Sequence, residues 1–420
     1  MFPNLKLDAT KVYLFIEFTA SAFFSMMFVT MSLYEATVAG LTPLQLVLVG
    51  TTLEISAFVF EIPTGIVADV YSRRLSIIIG YFLMGLGFLI EGLFPAFLPI
   101  LLAQIVCGLG YTFTSGATQA WISDEIGEEP ANQLFLRATR VGLTASLLGM
   151  GLAMLIGANN VVLPIQLGAV GVIIIGFVLI FIMPETGFKP APKEDRNTWQ
   201  HMLHTFNEGV KSVRARPRLI TILGVGLFYG LYSEGFDRLW VKHLLDNFDI
   251  PIFFGNNQVA FFAMLRIAGS ILTIFAIRFV EKRIDSGSSL AIGRGMLIVT
   301  GLIAAAMIGF ANSSLLPLTL GLYLVVNVFR AVSNPLYSGW VNQKLDPQTR
   351  ATVHSMVGQV DAFGQIAGGP SVGLVARFFS VVAAITTSGL LLLPAMLLVG
   401  RANSQSRNEA NIEATTTSLE

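Results

Sequence analysis

Hydrophobic and polar positions alternate in this chain on the scale of whole helices. Apolar runs fall near 11–39, 44–70, 75–94, 98–122, 134–158 and 161–183, then, after a polar stretch, near 219–245, 257–280, 290–311, 316–341, 351–376 and 379–400. About 20 helical residues cross the hydrocarbon of a bilayer. The pattern therefore predicts an all-α membrane protein with 12 transmembrane helices in two six-helix halves. The halves would be residues 1–183 and 219–401, with 184–218 as linker and 402–420 as a disordered tail. The first run, after Lys6 and Lys11, is too long for a cleaved signal peptide and reads as a retained membrane helix.

Composition sharpens this picture. Across 420 residues, 54% are apolar and 12% charged, and the mean hydropathy of +0.71 lies beyond the range of soluble globular proteins. Forty glycines suit helices whose backbones approach closely in lipid. The net charge is zero and no basic cluster is interleaved with aromatics, which argues against nucleic acid as a partner. Cys107, the single cysteine, excludes an intrachain disulfide or a cysteine-based metal site. No lysine follows a glycine, so there is no phosphate-binding GxxxxGK[ST] loop and no internal ATPase. No cofactor or metal is expected, and any transport would run on gradients.

Lysine and arginine set the orientation. With the N-terminus inside, 21 of the 26 basic residues fall on inner connections and ends. The exceptions are Arg238, Lys242, Arg266, Arg330 and Arg377. Both termini would be cytoplasmic, in a cell (inner) membrane. Within the linker, Trp199, Met202, Leu203, Phe206, Val210 and Val213 recur at helical spacing, as in an amphipathic helix lying on the membrane. His201 and His204 share that stretch as a solvated face. The segments 98–121 and 316–340 share a Leu-Pro start, a mid-helix serine and a closing tryptophan, as a six-plus-six duplication would give.

Between the second and third runs lies GIVADVYSRRLS (65–76). Its Gly65, Asp69, Arg73 and Arg74 have the spacing of the signature loop of the major facilitator superfamily, which the chain resembles over its length. EIPTG, MPETG (183–187), SEGFDRLW (233–240) and GQIAGGP (364–370) resemble the drug-efflux branch that includes tetracycline and macrolide exporters. Two positions depart from that branch. Gln104 stands where helix four often has an arginine, and GLTASLLGMG (142–151) lacks the proline of helix five.

The resemblance implies a conformational latch. Asp69 would lie at the N-terminus of helix eleven, near Arg350 to Thr352, and be held by the positive helix end. Gly65 would admit a close backbone, and Glu61 would belong to the same inner latch. The resemblance also implies a cavity lined by helices one, four, seven and ten. Its candidate contacts are Phe23, Phe24, Met27, Tyr111 and Phe113 in the first half. In the second half they are Tyr229, Tyr232, Glu234, Asp237 and Asn327. This set is largely apolar and suits shape-tolerant binding.

Ionisable groups at membrane depth are functional candidates by default. Counting from the run ends puts Glu54, Arg266 and Asp361 roughly 15 Å deep. Glu17 and Arg140 fall in the inner half, Arg330 between midplane and outer face, and Glu91 at the outer surface, solvated. Glu17 with Arg140, and Arg238 with its acidic neighbours, are candidate ion pairs. Glu54 and Asp361 would meet across the two halves; two carboxylates in a site of low dielectric do not both ionise readily, so one would carry a proton. Arg266 would reset the cycle, or pair with Asp361 as structural glue. The expected function is proton-coupled efflux of amphipathic drugs by a monomer that is not an enzyme. A transporter of an organic acid clamped by Arg266 or Arg330 is the alternative, and a membrane enzyme or scaffold the weaker one.

Overall fold

The computed structural model of the protein describes residues 7–190, 217–251, 258–283, 288–343 and 347–417. The helices are α1 (Ala9–Thr37), α2 (Pro43–Ile66, followed by a π-helical turn Val67–Tyr71), α3 (Arg73–Leu93), α4 (Phe97–Thr114, resuming as Ala117–Ile126), α5 (Glu128–Ile156) and α6 (Leu163–Ile182). They continue with α7 (Pro217–Asn247), α8 (Gln258–Arg283), α9 (Ser289–Asn312), α10 (Leu316–Asn342), α11 (Pro347–Phe378) and α12 (Val381–Leu390, resuming as Leu392–Thr417). Eleven are long and apolar enough to cross a membrane, and α11, with 32 residues and a more polar sequence, is the twelfth.

Local chemistry explains the helix starts. The Asp8 side chain caps α1 by accepting from the Lys11 amide. Thr42 and Gln45 form a capping box ahead of Pro43, the first residue of α2. Ser72 caps α3, and Ser380 caps the first segment of α12. Acidic Glu128 and Glu129 occupy the first turn of α5, where the helix dipole favours them. That helix starts several residues before the apolar run does. The last helix likewise continues to Thr417 through a stretch expected to be a disordered tail. Its Ala, Asn, Gln and Glu residues extend an existing helix without needing an apolar face. The amphipathic pattern of 199–213 and the pair His201 and His204 lie outside the described residues.

The chain divides into two compact units, residues 1–198 with 249–267, and residues 199–248 with 268–420. The first unit thus takes in the start of α8, where Ala263 shares a core cluster with Met26, Val29, Met150 and Ala153. Within the first unit α1 packs on α5 and α6, and α3 packs on α4 and α6. Within the second, α7 packs on α11 and α12, and α9 on α10 and α12. The two packing schemes correspond when α1 is matched to α7, α3 to α9 and so on, which is what the sequence repeat anticipates. Glycines make the seams. A side chain at Gly149 would collide with the Ala22 carbonyl on α1, and one at Gly230 of α7 with the Asp361 carbonyl on α11.

Candidate functional site

At one end of the first unit, the loop after α2 is built into an interlocked polar network. Pro63 sits inside α2, and the helix widens into its π turn four residues later. Arg73 reaches Asp124 at 2.6 Å and Asp69 at 3.9 Å. Glu185 accepts from the Ser72 hydroxyl at 2.7 Å and the Arg74 amide at 2.9 Å, while the Arg74 guanidinium donates to the Ile180 carbonyl. Glu125 accepts from the Thr186 hydroxyl at 2.7 Å and the Gly187 amide at 2.7 Å. The Trp121 indole donates to the Pro184 carbonyl. The end of α4, the signature loop and MPETG are thereby locked together. Asp124, Glu125 and Glu185 were not singled out as partners from the sequence, although all three sit in acidic, helix-ending contexts.

Among the described residues nothing lies within 4 Å of a Cβ built at Gly65. Glu61 is exposed. Asp69 leaves 64% of its side chain exposed.

A cavity of about 270 Å³ opens in the first unit. Glu17 and Tyr13 of α1, Tyr81 of α3 and Tyr111 of α4 line it, with Ser115 and Gly116 at the break in α4. Gly116 has φ 70°, a left-handed conformation that lets the helix stop and resume there. Glu17 and Arg140 do not pair: Arg140 is exposed and Glu17 faces the tyrosines. Met27 is fully buried against Gly168, the Phe23 ring lies on Gly171, and Phe24 packs with Phe28 and Phe88. Phe113 packs toward Gly80 of α3. Of these four apolar side chains, expected at a binding surface, Met27 is fully buried and the three phenylalanines are half-buried; glycines leave room for Phe23, Met27 and Phe113.

At the opposite end of the first unit, Glu91 is fully buried rather than solvated. Its carboxylate accepts from Gln104 at 2.8 Å, and its backbone carbonyl from the Tyr34 hydroxyl. Buried Glu35 is adjacent in sequence to Tyr34. Glu91 escapes solvent because α1 and α4 cover the end of α3. The residue standing where an arginine is common, Gln104, serves this carboxylate.

The second unit holds a cavity of about 400 Å³ whose lining is polar apart from Ala331. Asp237 of α7 and Arg330 of α10 form a bidentate pair there, one of its two bonds 2.7 Å long. The guanidinium also lies over the rings of Tyr232 at 5.6 Å and Phe236 at 6.0 Å. Asp361 of α11 accepts from Gln365 at 2.8 Å. Gly364 and Gly368 bring α11 against the α7 carbonyls of Leu227 and Leu231, so Asp361 stands close to Tyr229 and Tyr232. Asn327 lines the same cavity, whereas buried Glu234 pairs with Arg238 at 3.6 Å. Glu54 and Arg266, both half-buried, belong to the first unit and Asp361 to the second.

Twelve membrane helices, a repeated packing scheme and a polar cavity in each repeat define a multi-pass membrane transporter. The chain belongs to the Major Facilitator Superfamily, whose family model matches residues 13–369. A protein of Bacillus subtilis (strain 168) described as "Uncharacterized MFS-type transporter YxaM" is 23% identical over 84% of this chain and 86% of its own length. Among solved structures, the nucleoside transporter NupG is similar with TM-score 0.70 and 15% identity, over 95% of this chain and 99% of that one. A POT family transporter in complex with 5-aminolevulinic acid gives 0.70 and 13%, over 94% and 96%.

Proposed function

We propose that this protein is a secondary active transporter of a polar small molecule, working by alternating access and coupled to protons. The observation that carries this reading is the polar lining of the larger cavity, to which Asp361, Asn327 and Gln365 all contribute. A shape-tolerant site for amphipathic drugs is largely apolar, so this lining gives more support to a solute of defined polar structure than to drug efflux. The organic-acid alternative needs a free cation, and the fork of Arg330 is already filled by Asp237. Glu17 and Asp361, each facing a cavity, are the carboxylates best situated to exchange protons.

One elementary charge crossing about 150 mV yields roughly 3.5 kcal/mol, enough for a gradient of a few hundredfold. Basic residues concentrated at the loop end support cytoplasmic termini in a cell membrane. The test is solute accumulation in inverted vesicles against a panel of polar metabolites and amphipathic drugs, with and without a proton uncoupler. Accumulation of a polar solute that the uncoupler abolishes supports the reading; accumulation of drugs alone returns the function to efflux.

A further inference from the structure

In the second-unit cavity one carboxylate, Asp361, is met by a neutral amide rather than by a cation of its own. The Arg330 guanidinium is engaged by Asp237. The Asn327 carboxamide gives one N–H to the Tyr323 carbonyl, and Gln365 gives one to Asp361. The Ser233 hydroxyl donates to the Gly230 carbonyl and the Ser333 hydroxyl to the Arg330 carbonyl. The Thr300 hydroxyl donates to the Met296 carbonyl, so in its bond with Tyr229 the tyrosine is the donor. The hydroxyl protons of Ser233, Ser333 and Tyr229 are thus committed within the protein, as is one N–H each of Asn327 and Gln365. Asp361, Asn327 and Gln365 all line the cavity. The charges agree: Asp237 and Arg330 cancel, and Asp361 leaves the lining with one net negative charge when ionised.

A carboxylate solute finds no unspent cation here, and a neutral solute leaves Asp361 uncompensated. A quaternary ammonium balances the charge without donating a hydrogen bond to the Asp361 carboxylate, whose desolvation is then left uncompensated. We infer that this cavity recognises an organic cation bearing N–H donors: a primary ammonium, guanidinium or amidinium group held by Asp361, with Asn327 and Gln365 as acceptors and Tyr229 and Tyr232 beside its face. Aromatic rings and a carboxylate together favour such groups over inorganic cations. The inference rests on the reading that the cavity holds the transported solute.

Asn334, exposed and lining the cavity, offers a reporter, since the native Cys107 is buried. N334C would be alkylated with a membrane-impermeant maleimide in right-side-out and inverted vesicles. Three probes sharing one ring would be tested for protection: benzylguanidinium, benzyltrimethylammonium and phenylacetate. The expected result is protection by benzylguanidinium at concentrations at least tenfold below the quaternary amine, with none from phenylacetate. Adding Asp361→Asn should raise the protecting concentration of benzylguanidinium at least tenfold while labelling persists, which shows the variant is folded. Labelling from both sides with equal or better protection by phenylacetate, or with no effect of Asp361→Asn, overturns the inference alone. Labelling that never occurs from more than one side overturns the transport reading and the inference with it.

Discussion

Arg330 of α10 places both terminal nitrogens on the two carboxylate oxygens of Asp237 on α7, and the guanidinium rests over the Tyr232 ring. The pair ties two helices across a cavity and removes from it the cation that an anionic solute would need. Planar, bidentate geometry is what arginine supplies and lysine cannot.

Neutralising either member should therefore destabilise the protein. Asp237→Asn is expected to cost about 2 kcal/mol, below the figure for a fully buried pair, because the Asp237 side chain is 44% exposed. Thermal unfolding in detergent would measure it. The double variant Asp237→Asn with Arg330→Met should cost less than the sum of the singles, since no orphaned charge remains. Additive losses would mean the pair contributes no coupling.

The loop network yields a contrast between two acids that touch the same arginine. Asp124→Asn weakens the 2.6 Å pair with Arg73 and should lower stability by about 1–2 kcal/mol. Asp69→Asn affects an exposed carboxylate at 3.9 Å, and stability should stay within about 0.5 kcal/mol. If Asp69 holds the positive end of α11, its neutral variant would instead alter which side of the membrane introduced cysteines can be labelled from. A change in melting temperature with unchanged labelling would make Asp69 a structural turn residue.

Two glycines that look alike in sequence should respond in opposite ways. Gly65 lies in α2 with open space around it, so Gly65→Ala should be neutral or gain about 0.5–1 kcal/mol from helix propensity. A side chain at Gly230 collides with the Asp361 carbonyl on α11. Gly230→Ala should reduce the yield of folded protein, or displace Asp361 and abolish solute binding before expression is lost. Size-exclusion profiles and binding assays on the two variants check both outcomes.

The spans were legible because a helix surrounded by lipid must be apolar along its length, and length alone marks it. Rotation was much less legible. Helices apolar all round carry little periodicity to say which face meets which neighbour, so Phe23 and Met27 were expected at a binding surface although Gly171 and Gly168 receive them. Asp237 and Arg330 lie 93 residues apart, and nothing in their local sequence links them. Glu91 is buried rather than solvated because Tyr34 and Gln104, from two other helices, cover it. The break in α4 was hidden for a different reason. Ser-Gly within an otherwise helical run reads as tolerated until the positive φ of Gly116 is seen.

The carboxylates themselves supply the last prediction. The repeat offset that aligns the two halves matches Gly142 on α5 with Asp361 on α11, and in the first unit the acid sits across the seam instead, as Glu17 on α1 beside Gly142. Each unit thus carries one carboxylate at the corresponding seam, facing its own cavity. If these acids carry the coupling protons, neutralising them separates movement of solute from use of the gradient. Glu17→Gln and Asp361→Asn should each abolish uphill, uncoupler-sensitive accumulation in vesicles. Glu17→Gln should retain solute exchange between equal concentrations, which needs no net proton transfer. Asp361→Asn should lose exchange as well when the solute is a cation, because the same oxygen atoms would bind it. Glu54→Gln distinguishes this arrangement from one in which Glu54 and Asp361 share the proton: its uphill transport should persist here and fail there. Uphill, uncoupler-sensitive transport retained by both Glu17→Gln and Asp361→Asn would remove the two acids from the coupling mechanism.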